Sequence, residues 1–394
     1  MVDGVAHLRG RGSAGGSGTA EAAAPPSHPA GVPVGLHVIR IDPHGDPRWT
    51  SFVAEHPQAR IYHHPGWLRA LGREYAETPA HLACEDARGR LRGVLPLLGS
   101  SGLFTGRRLL SLPRTPAAGP LALDTEATTA LLRAAIALAH SEHRLQLRLK
   151  IPSPELDGLV EGLVGFPYDS TYVLELPERA EDLHFGTSRN HARGIRKAVN
   201  KAARLGVSVR AAGSEAELRA WYPLYLDTMR SLAAPPRALR FFETLWRELW
   251  PAGHLRLLLA ERSARGRRTL LAGSVLLMLG DTTFAAFSGS RREALPLRPN
   301  DAIYSQALRE ASEQGFRRFD FGEVPLGNEG LARYKAKWMD ESGHLYRYYY
   351  PAPPQAEVGA WAASGRAGDL GRAAWRRLPL RTTAVLGDRL YRWF

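Results

Sequence analysis

The sequence predicts an α/β (α+β) protein of two similar domains in tandem, each a mixed, largely antiparallel sheet flanked by helices. Three observations carry this. A hairpin-like motif occurs twice, as HLACEDARGRLRGVLPLLG from His81 and as HLRLLLAERSARGRRTLLAGSVLLMLG from His254. Each copy opens His-Leu, runs through apolar residues to an acid, and reaches an identical Ala-Arg-Gly-Arg at Ala87 or Ala264. Each then re-enters an apolar run through Gly93 or Gly273. Strand, tight Arg-Gly turn, strand is the economical reading. Each hairpin is followed by a helical run and then a strand-like run: TEATTALLRAAIALAHSE and LQLRLKI in the first copy, NDAIYSQALREASEQG and FRRFDFG in the second. A chain of 394 residues is long enough for two such domains.

The elements follow in order. Residues 1–33 are biased to Gly, Ser, Ala and Pro without a hydrophobic signal core, which predicts a disordered tail. The Gly-Arg-Gly-Ser-Ala-Gly-Gly-Ser-Gly run inside it follows no strand, so it is not a phosphate loop. The first domain is expected over 34–178, joined to the second near Pro167 to Arg179. Its Cys84, the one cysteine of the chain, sits in HLACED and reads as a small buried hydrophobe. A single cysteine excludes an internal disulfide framework and any multi-cysteine zinc site, and no metal is expected. The longest apolar run, LLAGSVLLML, is far short of the roughly 20 residues a spanning helix needs. A cytoplasmic location is expected, with contact at the inner face of the cell membrane.

The second domain, 179–352, opens with SRNHARGIRKAVNKAARLGVSVR. At 100° per residue, Arg189, Arg193, Arg196, Lys197, Lys201 and Arg204 fall on one side. Ala192, Ile195, Ala198, Val199, Ala202 and Leu205 fall on the other. Ser188 can cap this helix and Gly206 can end it. The formal net charge is +13, and Arg189–Ser214 holds seven basic residues and no acid. Trp361–Phe394 adds seven arginines against Asp369 and Asp388, so these two segments carry nearly all of the excess. Patches of this kind suit polyanions: RNA, phospholipid headgroups or phosphate-bearing substrates.

A helix over Asn300–Gly315 is marked by Asn300 or Asp301 as cap and by an apolar seam of Ile303, Ala307, Leu308 and Ala311. Its start, with Arg298 beside it, could hold a phosphate, although Asp301 opposes an anion there. In the strand Phe316–Gly322, Phe319 and Phe321 point one way and Arg318 and Asp320 the other. That places Asp320 at a strand's C-terminal end, where α/β folds gather ligands. A loop, Glu323–Gly330, then delivers Tyr334-Lys335-Ala336-Lys337-Trp338. The chain has only five lysines among 52 basic residues. Two of them fall in this aromatic cluster, where a compact ammonium can be partly desolvated and set against an oxyanion during acyl transfer.

Taken in order, SRNHARGIRKAVNKAARLGVSV, YPLYLDTMRSLAAPPRALRFFETLWREL, LLAGSVLLML, LRPNDAIYSQALREASEQGFRRFDFG and GLARYKAKW resemble the FemAB-like, BioF2-like branch of the GNAT acyltransferase superfamily. The resemblance covers roughly Phe185–Tyr350, with a weaker match over the first domain. It implies tandem GNAT-like domains and transfer of an acyl or aminoacyl group to an amine, often on a cell-envelope precursor. The Phe-Lys motif of that family corresponds to Tyr334-Lys335, which implies that Lys335 helps stabilise the reacting acyl group. Asp320 or Glu323 would assist the amine. Arg193 and Arg196 would hold acceptor phosphates, and Lys197, Arg298, Asn300, Tyr304, Tyr334 and Lys337 complete the candidate substrate-binding set. Acyl-CoA is the first donor expected and aminoacyl-tRNA the alternative. The place of the usual Arg/Gln-x-x-Gly-x-Gly/Ala loop reads ALPLRPNDA, and no heptad run supplies a coiled-coil arm.

The C-terminal segment, 353–394, combines its arginines with Trp375, Leu378, Leu386, Leu390, Trp393 and Phe394, broken by Pro379. It reads equally as an interfacial segment on anionic lipid and as a helix docked on the protein itself. Two further readings compete with an enzyme: an RNA-binding protein that uses the basic helix, and an inert envelope-assembly factor.

Overall fold

The structure is a computed structural model that describes residues 35–75, 78–102, 106–142, 146–264, 266–325, 327–353 and 366–391. The expected N-terminal tail lies outside them, as do Trp393 and Phe394. The first half runs β1 (His37–Arg40), α1 (Pro47–Glu55), a 3₁₀ turn at Ile61–His63 and α2 (Pro65–Tyr75). Short strands follow as β2 (Thr78–Pro79), β3 (Leu82–Glu85), β4 (Leu91–Leu95), β5 (Leu98–Gly102), β6 (Gly106–Leu110) and β7 (Leu121–Ala122). Helix α3 (Thr125–Ser141) leads to β8 (Gln146–Ile151).

The second half begins with β9 (Val164–Glu175), α4 (Arg189–Arg204), β10 (Val207–Ala211), α5 (Glu215–Ser231) and α6 (Leu239–Leu249). Then come β11 (Leu255–Ala264), β12 (Arg267–Leu279), β13 (Thr282–Ser290), α7 (Pro299–Glu313) and β14 (Arg318–Pro325). The described chain closes with α8 (Glu329–Ala336), β15 (Gly343–Tyr350), α9 (Arg366–Arg377) and α10 (Leu380–Tyr391).

Both expected hairpins form. Leu82 pairs with Leu95 across β3 and β4, and Leu255–Ala264 pairs with Arg267–Leu277 across β11 and β12. The copies diverge after the second strand. Pro96, which has no N–H to give a ladder, stands between β4 and β5. β4 joins a four-stranded sheet, β1-β3-β4-β7, and β5 joins an eleven-stranded one. The larger sheet has the order β10-β11-β12-β13-β14-β9-β15-β8-β6-β5-β2. Among the described strands, β13 with β14 and β6 with β8 are its parallel pairs, and each is bridged by one helix, α7 or α3. That recurrence makes the fold a tandem of two similar units.

The joint between the halves is not a linker. Val164–Glu175 is one strand paired with β14 on one side and β15 on the other. β15 in turn pairs with β8, so the last strand of the second repeat is built into the first. A buried ion pair, Arg237 to Glu74 at 3.0 Å, also crosses the halves, with Arg237 stacked on Phe241 at 4.3 Å. Removing one partner of such a pair costs about 3–5 kcal/mol because the other charge is stranded.

Three local expectations need correction. Helix α7 begins at Pro299, and its cap position is Arg298 in a left-handed conformation (φ 62°), with no side-chain cap from Asn300 or Asp301. Proline's fixed φ starts the helix, and Asp301 is instead drawn into an ion pair with Lys337. The strand expected to end at Gly322 continues to Pro325, so Asp320 lies inside it. The loop expected over Glu323–Gly330 is replaced beyond it by α8, capped by Asn328, whose side chain accepts from Leu331 N–H. Ser188 and Gly206 end α4 as expected, Ser188 accepting from His191 N–H.

Candidate active site

The site grows from an irregularity in β14. Asp320 lies opposite Val173 of β9, but Glu323 lies opposite Thr171, so three steps on one strand face two on the other. One residue is extra, which is a β-bulge. Gly322 makes it possible, because its φ of +79° is a conformation that a side chain disfavours. On the opposite edge, the parallel ladder to β13 holds only from Thr282–Arg318 to Phe284–Asp320. Beyond that point the two strands part.

Lys335, on α8, reaches this bulge. The side chain is 4% exposed, and its Nζ donates to the carbonyl oxygens of Gly322 at 2.9 Å and Glu323 at 3.0 Å. It also lies 5.6 Å from the centre of the Tyr172 ring. Burial pushes its pKa down to about 8, while the charges of Asp320 and Glu323 pull it back up. An ammonium has three donors, and two are committed to the backbone. Lys337, two residues on, is quite different: it is ion-paired with buried Asp301 and stacked 4.1 Å over Tyr334.

Asp320 is buried and accepts the Gly322 N–H at 2.7 Å, so it clamps the bulge. Its other oxygen meets Arg60, from the first half, at 3.4 Å. Glu323 lies among Lys150, Asp169, Lys335 and Arg347; burial raises its pKa and the cations oppose the rise. Lys150, on β8, donates to Thr115 O at 3.1 Å, and burial together with Arg347 lowers it to about 8. Arg347 stacks over Tyr168 at 4.4 Å, and Tyr62 is buried close to Asp320 and Glu323. The sequence reading missed Arg60, Tyr62, Lys150, Tyr168 and Arg347. Only Lys150 left a signal, as one of the five lysines.

The remaining candidates separate. Lys197, Arg298 and Lys337, with Lys201, surround a basin of about 350 Å³ between α4 and the start of α7. Arg193 stays on the exposed surface of α4, and Arg196 lines a different groove. Among the described residues no acid pairs with Arg189, Arg193, Arg196, Lys197, Lys201 or Arg204. Asn300 is half-buried in the first turn of α7. Tyr304 packs between Phe321 at 5.1 Å and Trp338 at 5.9 Å, next to Tyr334 at 6.0 Å. Both tyrosines support the bulge and its helix from behind. The described residues contain no group of three or more His, Cys, Asp or Glu placed to hold a metal ion.

Residues 189–336 match the family model of the acetyltransferase (GNAT) domain. That segment is a GNAT-type acyltransferase domain. Its match contains α4, the β13–β14 parting, the bulge and Lys335. Solved structures extend the fold likeness over both halves. FemX superposes with a TM-score of 0.61 at 15% identity, covering 82% of this chain and 99% of that one. L-PGS from Bacillus licheniformis gives 0.53 at 14% identity, over 82% and 96%. The C-terminal domain of a lysylphosphatidylglycerol synthetase from Agrobacterium fabrum gives 0.51 at 13%, over 80% and 94%. At these identities the likeness is one of fold. No curated protein matches the sequence.

Proposed function

We propose that this acyltransferase moves an acyl group from an activated ester or thioester onto an amine of an anionic, phosphate-bearing precursor of the cell envelope, either soluble or lipid-linked. The position of Lys335 carries the reading. Two of its N–H groups are fixed on the carbonyls of a bulge and one is left over, at the point where β13 and β14 part. A preorganised, desolvated donor of this kind stabilises the oxyanion that forms when an amine attacks a carbonyl.

The step balances as follows. The acceptor nitrogen forms a bond to the acyl carbon, and the carbonyl π electrons pass to its oxygen, beside Lys335. As the oxyanion collapses, the bond from the acyl carbon to the donor sulfur or oxygen breaks. Glu323, its pKa raised by burial, acts as the carboxylate: it takes the proton from the nitrogen and returns it to the leaving group. The edge of β13 past Phe284, where its ladder to β14 ends, offers backbone groups to an extended donor. Acyl-CoA is the first donor to test and aminoacyl-tRNA the second. The acid-free cationic face of α4 supports a phosphate-bearing acceptor.

Thermal unfolding of the wild type and of Lys335→Met, with acetyl-CoA, longer acyl-CoAs and charged tRNA in parallel, tests this. One donor class should raise Tm saturably in both proteins, and release of free thiol or tRNA should occur only with the wild type. Equal release by both proteins would remove Lys335 from the chemistry. No donor response from folded protein would favour the assembly-factor reading.

A further inference from the structure

Between α4 and α7 lies a groove of about 420 Å³, away from Lys335. Its walls are apolar: Leu183 and Phe185 from the segment before α4, and Ile195 and Val199 from α4 itself. Its rim is cationic. Arg196 and Arg309 are both exposed, and neither has a carboxylate partner among the described residues. Arg309 lies 5.7 Å from the Phe185 ring, so its charge is held over the apolar wall. Ser305 adds a third feature: it is 2% exposed, lines the groove, and its Oγ has no hydrogen-bond partner. A buried hydroxyl without a partner is uncommon in a folded protein.

We propose that this groove binds an anionic phospholipid of a membrane surface. The lipid phosphate would lie between Arg196 and Arg309, its methylenes against Leu183, Ile195 and Val199, and an ester oxygen within reach of Ser305. The outward residues of α4, Arg189, Arg193 and Lys197, would meet neighbouring headgroups. Charge complementarity and wall chemistry select this occupant. Single-stranded RNA is held by stacking on aromatic platforms, and Phe185, the one phenyl ring here, is covered by Arg309. A free phosphate would leave the apolar walls unused. The C-terminal segment, by contrast, spends α10 on the protein itself: Thr383 is fully buried, Arg240 pairs with Asp388, and Arg230 donates to Leu378 O at 3.1 Å. This site is independent of the role of Lys335.

The test is co-sedimentation with vesicles of phosphatidylcholine alone and of phosphatidylcholine mixed with phosphatidylglycerol, with bulk tRNA as competitor. The wild type should pellet only with the anionic vesicles. Arg196→Gln with Arg309→Gln should weaken binding by more than the roughly thirtyfold that diffuse attraction to the surface gives for two basic residues, at about 1 kcal/mol each. Val199→Asp should abolish it with every arginine in place, and Leu183→Asn serves if that variant fails to fold. Arg189→Gln with Arg193→Gln removes the same charge outside the groove and should cost less. Equal losses from the two double variants, or wild-type binding by both Val199→Asp and Leu183→Asn, would reduce the effect to diffuse charge and overturn the proposal. Absence of vesicle binding, or displacement of vesicles by tRNA, would overturn it too.

Discussion

The two parallel strand pairs of the large sheet are built alike and used differently. In the first half, β6 and β8 pair from Arg108–Gln146 to Leu110–Arg148 and then begin to part. The chain fills that parting itself. Ser111 N–H donates to Arg148 O at 2.8 Å, Ser111 Oγ accepts from Lys150 N–H at 2.8 Å, and Ala118 N–H donates to Lys150 O at 2.9 Å. In the second half, the β13–β14 ladder stops after an equal three positions, and β14 bulges instead of being covered. Each opening has a lysine on backbone carbonyls: Lys150 on Thr115, Lys335 on Gly322 and Glu323. The first lysine fastens a plug, and the second holds a bulge beside the place where β13 and β14 part. A repeated fold therefore does not imply a repeated site, because backbone groups at a strand parting must be satisfied by the chain or by a ligand.

The largest effect should come from breaking the open side. Lys335→Met should lower kcat by about 10²–10³, the cost of losing one oxyanion donor. In the wild type the ammonium is lost as pH rises through about 8, so kcat should fall about tenfold per pH unit above that value. A rate that climbs through the same pH would make Lys335 a base and refute the assignment.

Glu323→Gln comes next, with an expected loss of about 10² in kcat and removal of the acid limb of the pH profile. An unchanged limb would assign that limb to another group. Gly322→Ala should cost about 1–2 kcal/mol of stability, from its positive φ rather than from space. An added Cβ would meet Ala285 O at 3.7 Å and Lys335 Nζ at 3.8 Å, ordinary contacts. Chemical denaturation measures this loss.

The smallest effect sharpens the contrast on the plugged side. Ser111→Ala removes one hydrogen bond and should cost about 1 kcal/mol, with kcat and KM unchanged. A loss of activity beyond that of stability would mean that the first opening takes part in the reaction.

Much of this protein was legible in its sequence. The two Ala-Arg-Gly-Arg turns, the helix that follows each hairpin and the acid-free face of α4 are local patterns, and local sterics and periodicity decide them. Lys335 could also be singled out as a candidate, from the rarity of lysine beside two aromatics. What could not be read is what each charge meets. Lys335 and Lys337 are two residues apart, yet one sits on a bulge and the other on Asp301. Arg60 reaches Asp320 across 260 residues, and nothing near either position announces it. The two basic segments look alike in composition, yet α10 packs against its own protein and α4 keeps its cations unpaired. Propensity and hydrophobic period act over a few residues, and so they belong to the sequence. Burial, partners and the resulting protonation depend on segments distant in the chain, and only the tertiary structure decides them.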